Sequence, residues 1–388
     1  MRFLAGVFAV VLLLSFGHPA RAEDPFEINV ILPLTGPVAF LGKSELESFG
    51  LAEKAINARG GINGRPIKFA VSDDASNPQV AVQLTNAIAA KKATVILGSP
   101  SAASCAAMGP IVAKTGPVQY CLAPIYHPPS ASYVFSAGVS SVDSAQVVAR
   151  YLLAKHLTRV AIITATDATG RDMDAAFDSV FAQADNRGFK VVAREHFNPS
   201  DISVSAQLAR IKAANPQVLF TWTVGTPFGT LLQGIRDSGL AVPVLAAQGV
   251  MLYSQMNQLA NALPKDLIFA GYRAMSEVDV RPGPIKEAQR VMFRAHRAAG
   301  MRPDIAAATL WDPILIVVQA YKALGTNASA EQIRGYISGL HGFAGVNAVY
   351  DFRDGNGRGV GANALVMDRW DPATKSFVPI SRPGGGLN

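Results

Sequence analysis

Side chains arranged for covalent chemistry are scarce in this chain. The histidines His18, His127, His156, His196, His296 and His341 are dispersed along the sequence. None has a Cys, Asp or Glu partner at the spacing of a metal site. Cys105 and Cys121 lack a histidine and an acid at any catalytic spacing, so nucleophilic catalysis is not indicated. No G-x-x-x-x-G-K-[ST] phosphate loop, G-x-S-x-G elbow or H-E-x-x-H metal helix occurs. The G-x-G-x-G-x-G run at 355–361 lies between two strand-like stretches and opens no helix, which argues against a nucleotide loop. Its Asp354-Gly355 and Asn356-Gly357 pairs are hairpin dipeptides, and Asp351-x-Arg353 breaks the alternating acids of a calcium loop. The expectation is a protein that is not an enzyme and carries no metal or other cofactor.

What the sequence does offer is non-covalent capture. Loops at 37–42, 99–104, 123–126, 167–172, 222–228 and 248–253 follow predicted strands, which is where open α/β sheets hold their ligands. Several combine hydroxyls with the start of a helix, whose free backbone amides suit an anionic group. Others bring apolar side chains, which suit a hydrophobic body.

The hydrophobic pattern supplies a scaffold for those loops. From Glu27 onward short β-branched runs alternate with amphipathic stretches, the pattern of parallel strands joined by crossover helices. Strands are predicted at 28–32, 67–72, 94–98 and 118–121. Between them, Leu46, Phe49, Ala52, Ala55 and Ile56 recur at helical spacing up to Gly60-Gly61. Asn77 caps the next helix, with Pro78 at its first position. The alternation restarts after 139–143, with helices at 145–157, 173–186, 202–213 and 227–238 and strands at 160–164, 190–193, 218–223, 242–245 and 267–270. The last third reads as helices at 283–299, 306–324 and 330–340, then strands at 349–352 and 364–368. Too few strands remain for a third sheet, so this segment must cross back to complete both lobes.

The sequence has 388 residues with 49% hydrophobic and 16% charged side chains, enough to build two cores. Arg2, an apolar run at 3–16 and Ala20-Arg21-Ala22 read as a secretory signal cleaved after Ala22. The run falls short of the roughly 20 residues a membrane span needs. Cleavage would leave 33 basic against 28 acidic residues, a net +5. The basic residues are scattered, which argues against nucleic acid. Export places Cys105 and Cys121 in an oxidising compartment, which favours a disulfide over two buried thiols.

Three motifs in order, P-L-T-G-P-V-A-F-L-G at 33–42, I-N-A-R-G-G-I-N-G-R-P-I at 56–67 and D-D-A-S-N-P at 73–78, resemble branched-chain amino acid binding proteins of ABC transporters. These are type I periplasmic binding proteins, and the resemblance runs from about 27 to 371. It implies two doubly wound α/β lobes joined by a three-crossing hinge, with the ligand cleft between them. The first lobe would hold 23–141 and 273–348, the second 142–272 and 349–388. It also implies a monomer in the periplasm that closes on a small molecule and delivers it to a membrane permease. Within the cleft, Ser101 and Ala102 in G-S-P-S-A-A-S match the carboxylate-binding serine and its neighbouring amides. Ala123, Pro124 and Ile125 match the adjoining loop.

Departures from the family pattern bear on specificity. Gln248 in A-Q-G stands where amino acid binders hold the ligand ammonium with a glutamate. A charged amine would lose its counter-ion there, at a cost of several kcal/mol in a dry cleft. Ile125 replaces a threonine, and Thr169 replaces a tyrosine. The expected ligand is therefore a carboxylate without the ammonium, aromatic in the sharpest version of this reading. Phe40, Leu41, Trp222, Val224, Phe228 and Tyr272 are candidate apolar walls, although each aromatic also suits ordinary core packing. Arg171 is a candidate partner for an acid group, or else a solvated helix residue.

Overall fold

The computed structural model describes residues 24–123, 126–275 and 282–387. The expected signal segment, Pro124 and Ile125 lie outside the described residues. The chain opens with β1 (Phe26–Leu32), α1 (Ala39–Asn57), β2 (Ile67–Asp73), α2 (Pro78–Ala90), β3 (Val95–Gly98), α3 (Ala102–Val112), β4 (Val118–Cys121) and β5 (Val134–Ser136). The strands form one sheet in the order β2-β1-β3-β4-β5, every neighbour parallel. Val30, Ile31 and Leu32 are all fully buried, as a parallel strand covered on both faces requires. Ile31 and Ile96 pack under α2 and α3 with Ala81, Ile88 and Met108. Val30 and Leu32 point the other way, into the large core with Phe49 of α1.

The second unit runs α4 (Ser141–Ala154), β6 (Arg159–Ala165), α5 (Ala168–Phe181), β7 (Lys190–Phe197), α6 (Ser205–Ala213), β8 (Val218–Trp222), α7 (Pro227–Ser238), β9 (Val244–Ala246), α8 (Tyr253–Gln258) and β10 (Leu267–Tyr272). The chain continues through α9 (Pro284–Ala298), α10 (Ile305–Leu324), α11 (Ala330–Gly339), β11 (His341–Ala344), β12 (Val349–Asp351), β13 (Leu365–Asp371) and β14 (Ser376–Pro379). The last two strands extend the second sheet, whose order is β14-β13-β10-β9-β8-β6-β7. Helix α10 returns to the first lobe and packs along α1.

Two expectations need correction here. The sequence pattern puts 349–352 in the second lobe, but β12 pairs antiparallel with β11. Tyr350 donates to Asp312 of α10 at 2.9 Å, and Phe352 meets Phe135 of β5 edge-on. The glycine run at 355–361 is therefore no hairpin between its flanking strands. It is a crossing between lobes, turned locally by Asp354, whose carboxylate accepts the Asn356 amide at 3.0 Å. A short strand can pair with any edge its chain reaches, and the dipeptide signal does not say which.

The lobes are connected at 137–140, between β10 and α9, and at 352–364. These crossings are tied to one another. The Tyr272 hydroxyl accepts the Val139 amide at 3.2 Å. Buried Arg358 donates to the carbonyls of Gly138 at 3.4 Å and Val139 at 3.3 Å. It also donates to the carbonyl of Tyr126.

Candidate ligand-binding site

Strand order selects where a site can form. In the first sheet the chain winds outward from β1 in both directions, so a crevice opens beyond the ends of β1 and β3. The second sheet has its equivalent switch beyond β6 and β8. These two points face each other, and between them lies a cavity of about 140 Å³. The first lobe contributes Val38, Leu41 and Glu45 from the entry and first turns of α1, and Pro100, Ser101, Ala102 and Ala103 from the start of α3. Leu122 and Ala123 follow β4, and Ile305 and Thr309 come from α10. The second lobe adds Asp167, Ala168, Thr169, Trp222, Val224, Gln248 and Gly249.

The lobes touch around this space. Gly225 has φ +75°, and a Cβ there would lie 2.5 Å from the Pro37 carbonyl oxygen, so only glycine fits the contact. The Ile305 amide donates to the Met251 carbonyl at 3.3 Å. His127, which follows β4, and Asp172 of α5 pair at 2.7 Å. Gly98 has φ +125° with a virtual Cβ 2.1 Å from the Ile31 carbonyl oxygen, which brings the chain close to β1 before it turns into the Ser101 loop. Behind that loop, Cys105 and Cys121 form a disulfide with a Cα separation of 5.9 Å, within the ordinary range. It joins α3 to the end of β4, so the Ser101 and Ala123 segments are held together covalently.

The polar groups of the cavity divide into free and committed. Ser101 caps α3 by accepting the Ser104 amide at 3.3 Å, and no acceptor among the described residues takes its hydroxyl hydrogen. Asp167 caps α5, accepting from the Gly170 amide at 2.9 Å and the Thr169 hydroxyl at 2.7 Å. Thr169 is thus already engaged. Gln248 is buried, and its Oε1 accepts the Ser144 hydroxyl at 3.5 Å. Its Nε2 has no partner among the described residues, and neither has Nε1 of Trp222. Trp222 itself is fixed by stacking on Phe220, the ring centroids 5.6 Å apart.

Glu45 is fully buried, and neither carboxyl oxygen is bonded among the described residues. Burial, then the nearby carboxyls of Asp304 and Asp74, push its pKa well above the usual carboxylate range. Asp304 caps α10, accepting the Ala306 amide at 3.0 Å and the Ser44 hydroxyl at 2.9 Å, and burial raises it to about 6.

Leu41, Ser101, Ala102, Ala123, Thr169, Trp222, Val224 and Gln248 of the sequence reading are brought together here. Four others are not. Phe40, in the first turn of α1, packs against the core, since neighbouring helical residues do not share one face. Phe228 is core within α7. Tyr272 is consumed by the hinge. Arg171 folds back to donate to the Thr166 carbonyl and lies outside the cavity lining. Sequence reasoning missed Glu45, Leu122, Ile305 and Thr309, whereas Val38, Pro100 and Asp167 lie in loops it named without being singled out. A signal for Glu45 existed: it precedes Phe49, Ala52 and Ile56 at helical spacing, which puts an acid on a buried stripe.

The periplasmic binding protein model matches residues 25–372, and the chain belongs to that family of non-enzymatic solute-binding proteins. It is 24% identical over 326 residues to Leu/Ile/Val-binding protein homolog 1 of Brucella abortus (strain 2308), covering 83% of this chain and 84% of the relative. Among solved structures it resembles the branched-chain amino acid transporter substrate binding protein LivJ of Streptococcus pneumoniae in complex with isoleucine. The TM-score is 0.73 at 18% identity, covering 94% of this chain and 98% of the other. It equally resembles an ABC transporter solute binding protein of R. palustris in complex with benzoate, with TM-score 0.74, 18% identity and coverage of 92% and 96%. At these identities the structures speak for the fold.

Proposed function

We propose that this chain is the periplasmic solute-binding component of an ABC uptake transporter, and that its ligand is a small carboxylate without an α-ammonium, most simply an aromatic acid. The protein is exported, cleaved after Ala22, and acts as a monomer that delivers its ligand to a membrane permease. Closure of the lobes is the working step: the ligand bridges both walls and stabilises the closed form by its differential affinity.

The observation that carries the specificity is the donor set of the cavity. Nε2 of Gln248 and Nε1 of Trp222 are buried without acceptors among the described residues, and the Ser101 hydroxyl at the start of α3 adds a third donor. Buried donors left unpaired cost about 1–3 kcal/mol each, so the group that completes this site is an acceptor. The remaining lining is largely apolar, and about 140 Å³ is the scale of a cavity that takes a single benzene-sized ring. The structural relative bound to benzoate supports such a ligand within this fold.

A second reading follows from Glu45, whose oxygens have no partner among the described residues and so offer one to an ammonium, and from relatives of the chain named for Leu, Ile and Val. A thermal-shift screen of the mature protein separates the two, because a ligand that binds only the folded state raises its melting temperature. Benzoate, phenylpropanoid acids and aliphatic carboxylates are expected to stabilise it, and isoleucine and leucine are not. Stabilisation by the amino acids alone would sink the carboxylate reading.

A further inference from the structure

The donor set above leaves Glu45 without a role. A buried carboxyl with no partner among the described residues costs free energy that a leucine at the same helical position would avoid. The charged groups acting on it come from two elements: Asp304 at the start of α10 and Asp74 in the turn after β2. Both are acidic, and Glu47 adds a third negative group acting on Asp304. Across the cavity stands Asp167, whose carboxylate is taken up by its own helix cap. No cation figures among these groups. The arrangement favours Glu45 as the neutral acid, which has one O–H to donate and a carbonyl to accept.

We propose that Glu45 is a specificity-determining residue of this cleft, donating a hydrogen bond from its neutral carboxyl to a carboxylate oxygen of the bound ligand. The inference rests on the reading that the ligand is an ammonium-free acid. An O–H to carboxylate bond is charge-assisted and among the stronger hydrogen bonds available. It selects against a zwitterion, because an ammonium would require Glu45 to ionise beside two other acids. The proton remains on Glu45 throughout, so binding is linked to protonation. Once rising pH removes that proton, the cleft presents a carboxylate to a carboxylate and affinity falls.

The test is calorimetric titration of benzoate, or whichever ammonium-free acid of the screen binds tightest, into the mature protein from about pH 6 to about pH 9. One linked proton makes Kd rise toward about tenfold per pH unit at the upper end. In the same range the binding heat varies with buffer ionisation enthalpy, reporting proton uptake. Glu45→Gln keeps a donor but has no proton to lose, so it binds within about fivefold of the parent at pH 6 and loses the pH dependence. Glu45→Leu loses about tenfold or more. Flat parental affinity without proton uptake overturns the inference while leaving the proposed function intact. Failure of every ammonium-free acid to bind overturns the underlying reading instead. If the parent binds isoleucine and Glu45→Gln abolishes it, Glu45 is an ammonium counter-ion and both fall. Should the variants not fold, the proton uptake of the parent protein still decides.

Discussion

The two lobes present the same device to the cleft in opposite electrical states. Each puts a helix N-terminus at its topological switch point, α3 in the first lobe and α5 in the second. At α3 the cap is Ser101, neutral and with a hydroxyl hydrogen to spare. At α5 the cap is Asp167, whose carboxylate already satisfies the helix and carries the negative charge that a helix start attracts. An incoming anion therefore finds one vacancy and one occupied position. The lesson is that a helix N-terminus counts as an anion site only after its own cap has been examined. The first-lobe terminus is also held by the Cys105–Cys121 bridge, which closes a loop worth about 3 kcal/mol by chain entropy.

Copying the second-lobe state onto the first gives the largest expected effect. Ser101→Asp keeps a good helix cap but sets a charge against the ligand carboxylate. Like charges brought together in a desolvated interface cost several kcal/mol, so benzoate affinity in a calorimetric titration falls by about 100-fold or more, with little change in melting temperature. Equal binding by this variant would remove α3 from the site. Next comes Gln248→Glu, which converts a donor into an acid. A buried glutamate escapes part of the penalty by taking up a proton, so the loss is smaller, about 30-fold at neutral pH. The same variant gains isoleucine binding, measurable by thermal shift, if an ammonium counter-ion is what the parent cleft lacks.

The converse change sharpens the contrast. Asp167→Asn keeps the cap and removes the charge from α5. Relief of a partly screened repulsion is worth about 0.3–1 kcal/mol, so benzoate binds about two- to fivefold more tightly. No gain would mean that the second-lobe terminus does not sense the ligand. The smallest effect belongs to Arg171→Ala: with its guanidinium turned back to the Thr166 carbonyl, affinity stays within about twofold. A tenfold loss would return Arg171 to the binding surface.

Much of this is legible in the sequence. The alternation of strand and helix fixes two α/β units, and the loops named from it hold Ser101, Ala123, Trp222 and Gln248, which do meet in the cavity. What failed were directions and partners. Arg171 and Tyr272 sit beside the cleft in sequence, but one folds onto a local carbonyl and the other onto the hinge. Residues 349–352 read as a strand and are one, yet they pair with β11, a partner too short and irregular to announce itself. Strand β5, only three residues long, went unread for the same reason.

By itself the sequence determined the periodicities, the helix cap at Asn77 and the buried stripe Phe49, Ala52 and Ile56, although Leu46, read into that stripe, is exposed. It also determined the absence of a charge at Gln248, because all of these depend on neighbours within a turn or on residue identity alone. Tertiary structure decided that Glu45 is buried beside Asp304, 259 positions along the chain. It decided equally that Arg358 ties the hinge and that α10 closes the first-lobe wall. Such facts depend on which distant surfaces the lobes bring together, and no local pattern of side chains records them.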